Sequence, residues 1–355
     1  RRVEGLPGDD ELAQRGRSGG ALERPELAVV MAYAKMAIYD GLVTAPLVDD
    51  PLLAHDLHAG FPAEMQARFA DAIDAHRLRR ELIATRLTNQ LVNRGGLGLA
   101  FELAEELGVG LADVAAAFVA ARELFDFPAL WTAIDSAPVA GTVQLDLHAA
   151  GISALRVQMA DLIRCVPPGT APAATVNRLR AGVARLADGL DGFLRAEPRA
   201  HLERLRARLA ALGAPSDIVA TLVRIEALDG AIGVGLLATD LGVAEADAAT
   251  AYTAIGQATG LDWAKSAAAS LEPADPWERL LKAGLVRDFE QLRLDLMRRI
   301  VKPGKNPVAA VTFWLEANSA LVARIATPVA RARSSASVST AMLAHLASQA
   351  RSALG

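Results

Sequence analysis

RPELAVVMAYAKMAIYDG, Arg24 to Gly41, is the stretch whose reading decides the fold. Pro25 suits the first turn of a helix, where its missing N–H is not needed, and Gly41 suits the position just past the end. Between them Leu27, Val30, Met31, Ala34 and Ile38 recur at helical spacing on one face, while Val29 and Met36 make the opposite face apolar too. A helix apolar on both sides belongs inside a protein. A central helix over 25–40 is therefore predicted, wrapped by its neighbours. At 1.5 Å per residue it spans roughly 24 Å and it carries Lys35, so it is too short and too charged to cross a bilayer.

Outward from that stretch, composition points the same way. Hydrophobic residues make up 52% of the 355 but aromatics only 5%, because alanine and leucine carry the apolar content, and both favour helix. The prediction is an all-α, multi-helix array without a Rossmann sheet. A net charge of −4, with 37 basic and 41 acidic residues spread along the chain, offers no footprint for nucleic acid. One cysteine, Cys165, excludes internal disulfides and cysteine-built zinc sites and fits a reducing compartment, so the cytoplasm is expected. No signal-like or membrane-spanning segment is read, and no membrane partner is expected.

Residues 1–20, charged and glycine-rich, read as a lead-in from a longer, upstream polypeptide. The first helical half is predicted over 21–166. Within it Pro62 opens a helical pattern running to Asn93 and stopped by Gly95 and Gly96, with His76 and Arg80 falling inside its apolar stripe. Pro167, Pro168, Gly169 and Pro172 make the clearest break. A second half follows over 172–301, then a terminal helix at 302–330 opened by Asn306 and Pro307. Residues 331–355 read as a mobile serine-rich tail with a weak final helix.

The restart is an internal duplication. LAEELGVGLADVAAAF, Leu103 to Phe118, matches LATDLGVAEADAATAY, Leu237 to Tyr252, at a constant offset of 134 residues. Gly108 and Gly242 each end a helix as C-cap glycines, with Val109 and Val243 packing back. The aromatic stretches Phe127–Trp131 and Leu261–Trp263 would close the same cluster in each copy.

Few residues offer chemistry. Gly233-x-Gly235-x-x-Ala238 has the spacing of a dinucleotide fingerprint, but the residues before it read as helix, not strand. His55 and His58 lack partners that would complete a metal set and read as surface histidines. No strand–Ser–helix elbow supports a nucleophile. Glu105 with Glu106, and Asp113 or Asp247 in first turns, read as solvated helix acids. His76 and Arg80 are the informative pair, because a buried guanidinium stripped of its partner costs about 3–5 kcal/mol. An ion pair from Arg80 to Glu26 or Asp40 is one reading. Contact of Arg80, Asn89 and Asn93 with an adjoining domain is the other.

LPGDDELAQR, RPELAVVMAYAKMAIYDGL, DAHRLRRELIATRLTNQLVNRGG and ELAEELGVGLADVAAAF with FDFPALW together resemble the C-terminal region of the large bacterial NAD-dependent glutamate dehydrogenases, from Leu6 to about Val301. The resemblance implies a parent polypeptide that oxidatively deaminates L-glutamate to 2-oxoglutarate and ammonia with NAD, in the cytoplasm, as a homo-oligomer. Its catalytic region would contact this one in cis. No catalytic, cofactor or metal residue can be carried over, so this region is predicted inactive alone and without a bound cofactor. Candidate docking or structural polar residues are Arg24, Glu26, Lys35, Tyr39, His76, Arg80, Asn89 and Asn93. The alternatives are a free-standing helical adaptor for another protein, and an enzyme using His76 as general base.

Overall fold

The computed structural model describes residues 4–354, and among them every regular element is helical: 21 α-helices, two short 3-10 turns and no strand. Local sequence sets the boundaries. Pro25, Pro172, Pro276 and Pro307 sit in first turns. Asp275 accepts from the Glu278 N–H at 2.8 Å, and Asn306 accepts from the Ala309 N–H at 2.9 Å, each tying down an N–H that the helix cannot satisfy itself. Residues 1–3 and 355, the ends of the predicted lead-in and tail, lie outside the described residues. The chain divides into two compact units. One comprises the residues through Glu102 plus Gly110–Ala115, the other Leu103–Val109 and the chain from Ala116 onward.

In the first unit the predicted lead-in contains a helix, Asp9–Arg17, whose Arg15 pairs with Glu26 at 2.8 Å. The decisive stretch is helical over Arg24–Val43, opened by a reciprocal turn in which the Glu23 N–H donates to Glu26 Oε2 at 2.7 Å. It is not the swallowed rod that its sequence predicts. Only Ile38 and Leu42 are buried, while Leu27, Met31, Tyr33 and Met36 keep 45%, 43%, 49% and 48% of their surface exposed. Apolar character on every face tells that a helix needs cover; it does not say that this stretch of chain supplies the cover. The single helix predicted from Pro62 to Asn93 is likewise broken, into Ala63–Arg68, Ala70–Asp74 and Arg79–Gly95. Met65 and Phe69 are exposed, and His76 lies in the turn between helices, so the apolar stripe proposed through it does not exist.

The second unit holds the larger core. Leu261, Ala264, Phe289, Ile325, Val329, Leu343 and Leu346 form one apolar cluster shared by the helices Leu261–Ala269, Pro276–Ile300, Ser319–Arg333 and Thr340–Leu354. The last of these corrects the expected weak tail: its Leu343, Leu346, Ala347 and Ala350 are buried. The predicted terminal helix is two, Pro307–Ala317 and Ser319–Arg333, bent by 85°. Among the described residues no single helix is long and apolar enough to cross a membrane; this bent pair passes only when taken together.

Local conformation recurs at the spacing read from the sequence. Helices start at Leu111 and Glu245, and again at Phe127 and Leu261. The Val109 N–H donates to Ala104 at 3.1 Å and the Val243 N–H to Ala238 at 3.0 Å. Gly108 and Gly242 both take positive φ, 67° and 63°. Asp126, the one non-glycine at positive φ among the described residues, stands opposite Gly260, at φ 50° and 73°.

Candidate functional site

The densest concentration of charge lies inside the second unit, where side chains from four helices and a turn meet. Gly141–Cys165 supplies Asp161 and Arg164, the turn before Ala231 supplies Asp229, Leu261–Ala269 supplies Lys265, and Pro276–Ile300 supplies Glu290 and Arg293. Glu245–Thr259 adds Tyr252. Asp161 is fully buried and pairs with Arg164, whose Nη2 also lies 3.0 Å from Glu290 Oε2. The Lys265 ammonium reaches Asp229 Oδ1 at 2.8 Å and Glu290 Oε2 at 3.3 Å. The Gly230 N–H donates to Asp161 Oδ2 at 2.8 Å. Gly230 takes φ +82°, where a side chain is strained, and its Cβ would meet Glu290 Oε1 at 3.3 Å. The Arg293 guanidinium stacks 4.3 Å above the Tyr252 ring.

The electrostatics follow from burial. Desolvation, then repulsion from Glu290, pushes the Asp161 carboxyl up to about 7 against the pull of Arg164. Burial works against the charge on Lys265, but Asp229 and Glu290 more than reverse it and raise its pKa. Desolvation opposes the charge on Asp229 as well, although its side chain keeps 40% of its surface, and Lys265 holds that carboxyl below the ordinary range. Burial also pushes the Cys165 thiol up to about 12, so at neutral pH it is a thiol and not a nucleophilic thiolate.

Carboxylate oxygens of Asp161, Asp229 and Glu290 lie within 4.8 Å of one another, the kind of convergence that can hold a cation. The cations they converge on here are the chain's own, Lys265 and Arg164, with Arg293 close by. Arg164 and Lys265 already engage these carboxylates, which suits a structural lattice joining helices far apart in sequence better than a divalent ion. Three atoms are left over: Glu290 Oε1, Arg293 Nε and the Tyr252 hydroxyl are buried without a hydrogen-bond partner among the described residues. The sequence reading missed all of these residues. The signal was present, since Glu290 and Arg293 interrupt a face otherwise made of Leu285, Phe289, Leu294 and Met297.

The predicted polar residues lie in the first unit and fall into separate groups. Lys35 Nζ donates to Asn89 Oδ1 at 2.8 Å and to Asn93 Oδ1 at 3.3 Å. Arg80 finds neither Glu26 nor Asp40. It pairs with Asp49 and donates to the carbonyls of Val43 at 3.2 Å and Ala45 at 3.0 Å, closing the C-terminal end of Arg24–Val43. Glu26 is held by Arg15 and by its own helix start. His76 Nδ1 accepts from the Leu78 N–H at 3.1 Å, and its ring packs 5.8 Å from Phe61. Arg24 is exposed and Tyr39 half-buried. Of the histidines read as surface groups, His58 contacts Asp74 at 2.8 Å. Gly233 and Gly235 are buried inside the helix Ala231–Leu241. A Cβ on Gly233 would meet Leu294 at 2.8 Å, so that glycine serves close helix packing, not phosphate approach.

Comparison with known proteins adds a family. Residues 19–352 match the family model described as "Glutamate dehydrogenase, C-terminal". The chain is 30% identical to the NAD-specific glutamate dehydrogenase of Mycobacterium tuberculosis, across 99% of this chain and 22% of that protein. It is 28% identical to the Pseudomonas aeruginosa protein of the same name, across 97% and 22%. For the Halomonas elongata protein, also so named, the figures are 27%, 89% and 20%. The chain thus spans about a fifth of the length of the curated relatives it matches.

Proposed function

This chain belongs to the glutamate dehydrogenase C-terminal family, and on that premise we propose that it is the non-catalytic helical region of a large NAD-dependent glutamate dehydrogenase. The parent reaction would convert L-glutamate, NAD and water to 2-oxoglutarate, ammonia and NADH, in the cytoplasm, in a homo-oligomer whose catalytic region this one braces in cis. The observation that carries the reading is the Arg24–Val43 helix. A 20-residue helix with Leu27 and Met31 about half exposed on one side and Tyr33 and Met36 about half exposed on the other leaves apolar surface of the sort that a partner covers. The relatives possess the remaining four fifths of a polypeptide that could cover it. The ionic lattice fits a bracing role, because it consumes its own charges internally and presents none to a substrate.

The free-standing adaptor is the less favoured reading, since 99% of the chain aligns within one much larger dehydrogenase. The recurring hairpins we take as copies of one ancestral unit. The test pairs two measurements. Met31→Asp with Met36→Asp in the whole parent enzyme is expected to weaken assembly and glutamate oxidation, while the same pair of changes in this chain alone leaves its melting within about 0.5 kcal/mol of the original, as for other exposed positions. Titration of NAD into this chain should give no heat of binding. Micromolar NAD affinity, or a parent enzyme indifferent to both aspartates, would overturn the proposal.

A further inference from the structure

The polar flank of Arg79–Gly95 carries a concavity of about 270 Å³ lined by Arg86, Asn89, Gln90, Asn93 and Arg94. Three features of it bear on what it can hold. The first is the orientation of its carboxamides. Lys35 can only donate, and its ammonium takes the side-chain oxygens of both Asn89 and Asn93, so their NH₂ groups are the ends left to face elsewhere. The second is charge. Lys35 has neutral amide oxygens for partners and no carboxylate, and Arg86 makes no hydrogen bond or ion pair among the described residues. The third is desolvation: Arg86 Nε is buried and has no acceptor among the described residues, while its stem lies beside Gly60, whose Cβ would sit 3.6 Å from Arg86 Cδ. Gln90, which also lines the concavity, donates through Nε2 to Asp56 Oδ1 at 2.5 Å.

Two cations without a countercharge, two outward amide donors and a planar guanidinium with an unused N–H form a surface that asks for acceptors. A ligand rich in oxygen lone pairs and carrying two negative charges would satisfy all of them, with Arg86 able to grip a carboxylate or phosphate through two parallel bonds. The volume is below the roughly 300–1,000 Å³ of clefts for drug-sized ligands, which favours a small ion over a nucleotide or a folded partner. The geometry points to a binding site for a small dianion, a dicarboxylate or a phosphate, at Arg86, Asn89 and Asn93 beside Lys35. This site is independent of the bracing role proposed above. Its occupant would tie the Arg24–Val43 helix, through Lys35, to Arg79–Gly95, so binding there would stiffen the helix that carries the exposed apolar face.

The test is calorimetric titration of the chain, at constant ionic strength in chloride, with inorganic phosphate and with succinate separately. Saturable binding of either at millimolar concentration or tighter is the expected result; phosphate alone, succinate alone or both would each support the site and would identify its preference. Arg86→Met should weaken that binding at least tenfold, and Arg86→Lys, which keeps the charge and the fold, at least threefold through loss of the fork. Arg178→Met, at a surface arginine paired with Asp240, should leave it unchanged. No heat above the chloride control, binding undiminished in both Arg86 variants, or binding of polyglutamate in place of both small ions would overturn the assignment.

Discussion

Asp161→Asn tests the buried lattice at its centre. The carboxyl is fully buried, accepts from Arg164 and from the Gly230 N–H, and faces Glu290, with Lys265 and Asp229 beyond. Burial first, then Glu290, moves it from 3.8 to about 7. At 1.36 kcal/mol per pH unit that is about 4 kcal/mol between the two protonation states. The sign follows from which state releases its proton first. Between roughly pH 4 and pH 7 the unfolded chain has an ionised Asp161 while the folded chain still holds the proton, so folding binds a proton and stability falls as pH rises through the window. Above about 7 both states are ionised and the penalty is constant. Of the total, about 2–3 kcal/mol accrues between pH 5 and pH 8.

An asparagine has no proton to lose there. It can still accept one bond, from Arg164 or from Gly230, so it carries a fixed cost at every pH but none of the slope. Chemical denaturation of both proteins at pH 5 and pH 8 is the assay, with the slope in denaturant checked to be the same in each. Relative to the parent chain, Asp161→Asn should gain about 2–3 kcal/mol on going from pH 5 to pH 8. Subtracting one protein from the other removes carboxyls whose pKa is lowered, such as Glu26 and Glu245, because they are common to both. A difference that stays constant within about 0.5 kcal/mol would mean that Asp161 is ionised in the folded chain throughout, and the account of the lattice would fail.

Lys265→Met removes the cation that joins Asp229 to Glu290. We expect a loss of about 2–4 kcal/mol in denaturant melts, below the 3–5 of a fully buried pair, because the Asp229 side chain is 40% exposed and Glu290 keeps Arg164. Gly260→Ala and Gly213→Ala place the same methyl at similar positive φ, +73° and +78°. At Gly213 nothing lies within 4 Å, so only backbone strain of about 1–2 kcal/mol is expected. At Gly260 the methyl would meet Val329 Cγ1 at 2.7 Å inside the apolar cluster, and thermal melts should show a clearly larger loss.

What could be read from the sequence is what depends on local chemistry. Proline first turns, asparagine and aspartate caps and alanine-rich periodicity place helices wherever they occur, and the glycine ends at Gly108 and Gly242 lie where their spacing put them. What escaped depends on partners far along the chain. Nothing local in Leu27 or Met31 says whether a neighbour covers them, and they are exposed here. The break at Phe69 and the turn at Ala75–Leu78 interrupt a pattern whose periodicity happens to continue across them. Arg80 was recognisable as needing a partner, but its answer, Asp49 with the carbonyls of Val43 and Ala45, requires the chain to turn back at Pro46. The lattice draws on residues from Asp161 to Arg293, and its pairing follows from helix packing that no short stretch encodes.

The duplication we propose turns that last point into a test of what the lattice is worth. At the offset of 134, Tyr252 answers to Phe118 and Lys265 to Trp131. In the first copy Phe118 and Trp131 are buried and stacked, with ring centroids 6.0 Å apart, so one position pair builds an apolar contact in one hairpin and part of an ionic cluster in the other. Tyr252 therefore carries a hydroxyl on a scaffold that accommodates phenylalanine elsewhere in the same chain, and that hydroxyl is buried without a partner among the described residues. A buried hydroxyl lacking a hydrogen bond costs about 1–3 kcal/mol. Tyr252→Phe removes it, and the ring face that stacks on Arg293 at 4.3 Å remains. Most substitutions in a core destabilise; this one should raise stability by about 1 kcal/mol or more, read as a higher denaturation midpoint with an unchanged slope. A loss of more than about 1 kcal/mol would show that the hydroxyl is hydrogen-bonded in solution, to an ordered water shared with Glu290 Oε1, and would make Tyr252 a working member of the lattice instead of an unspent group.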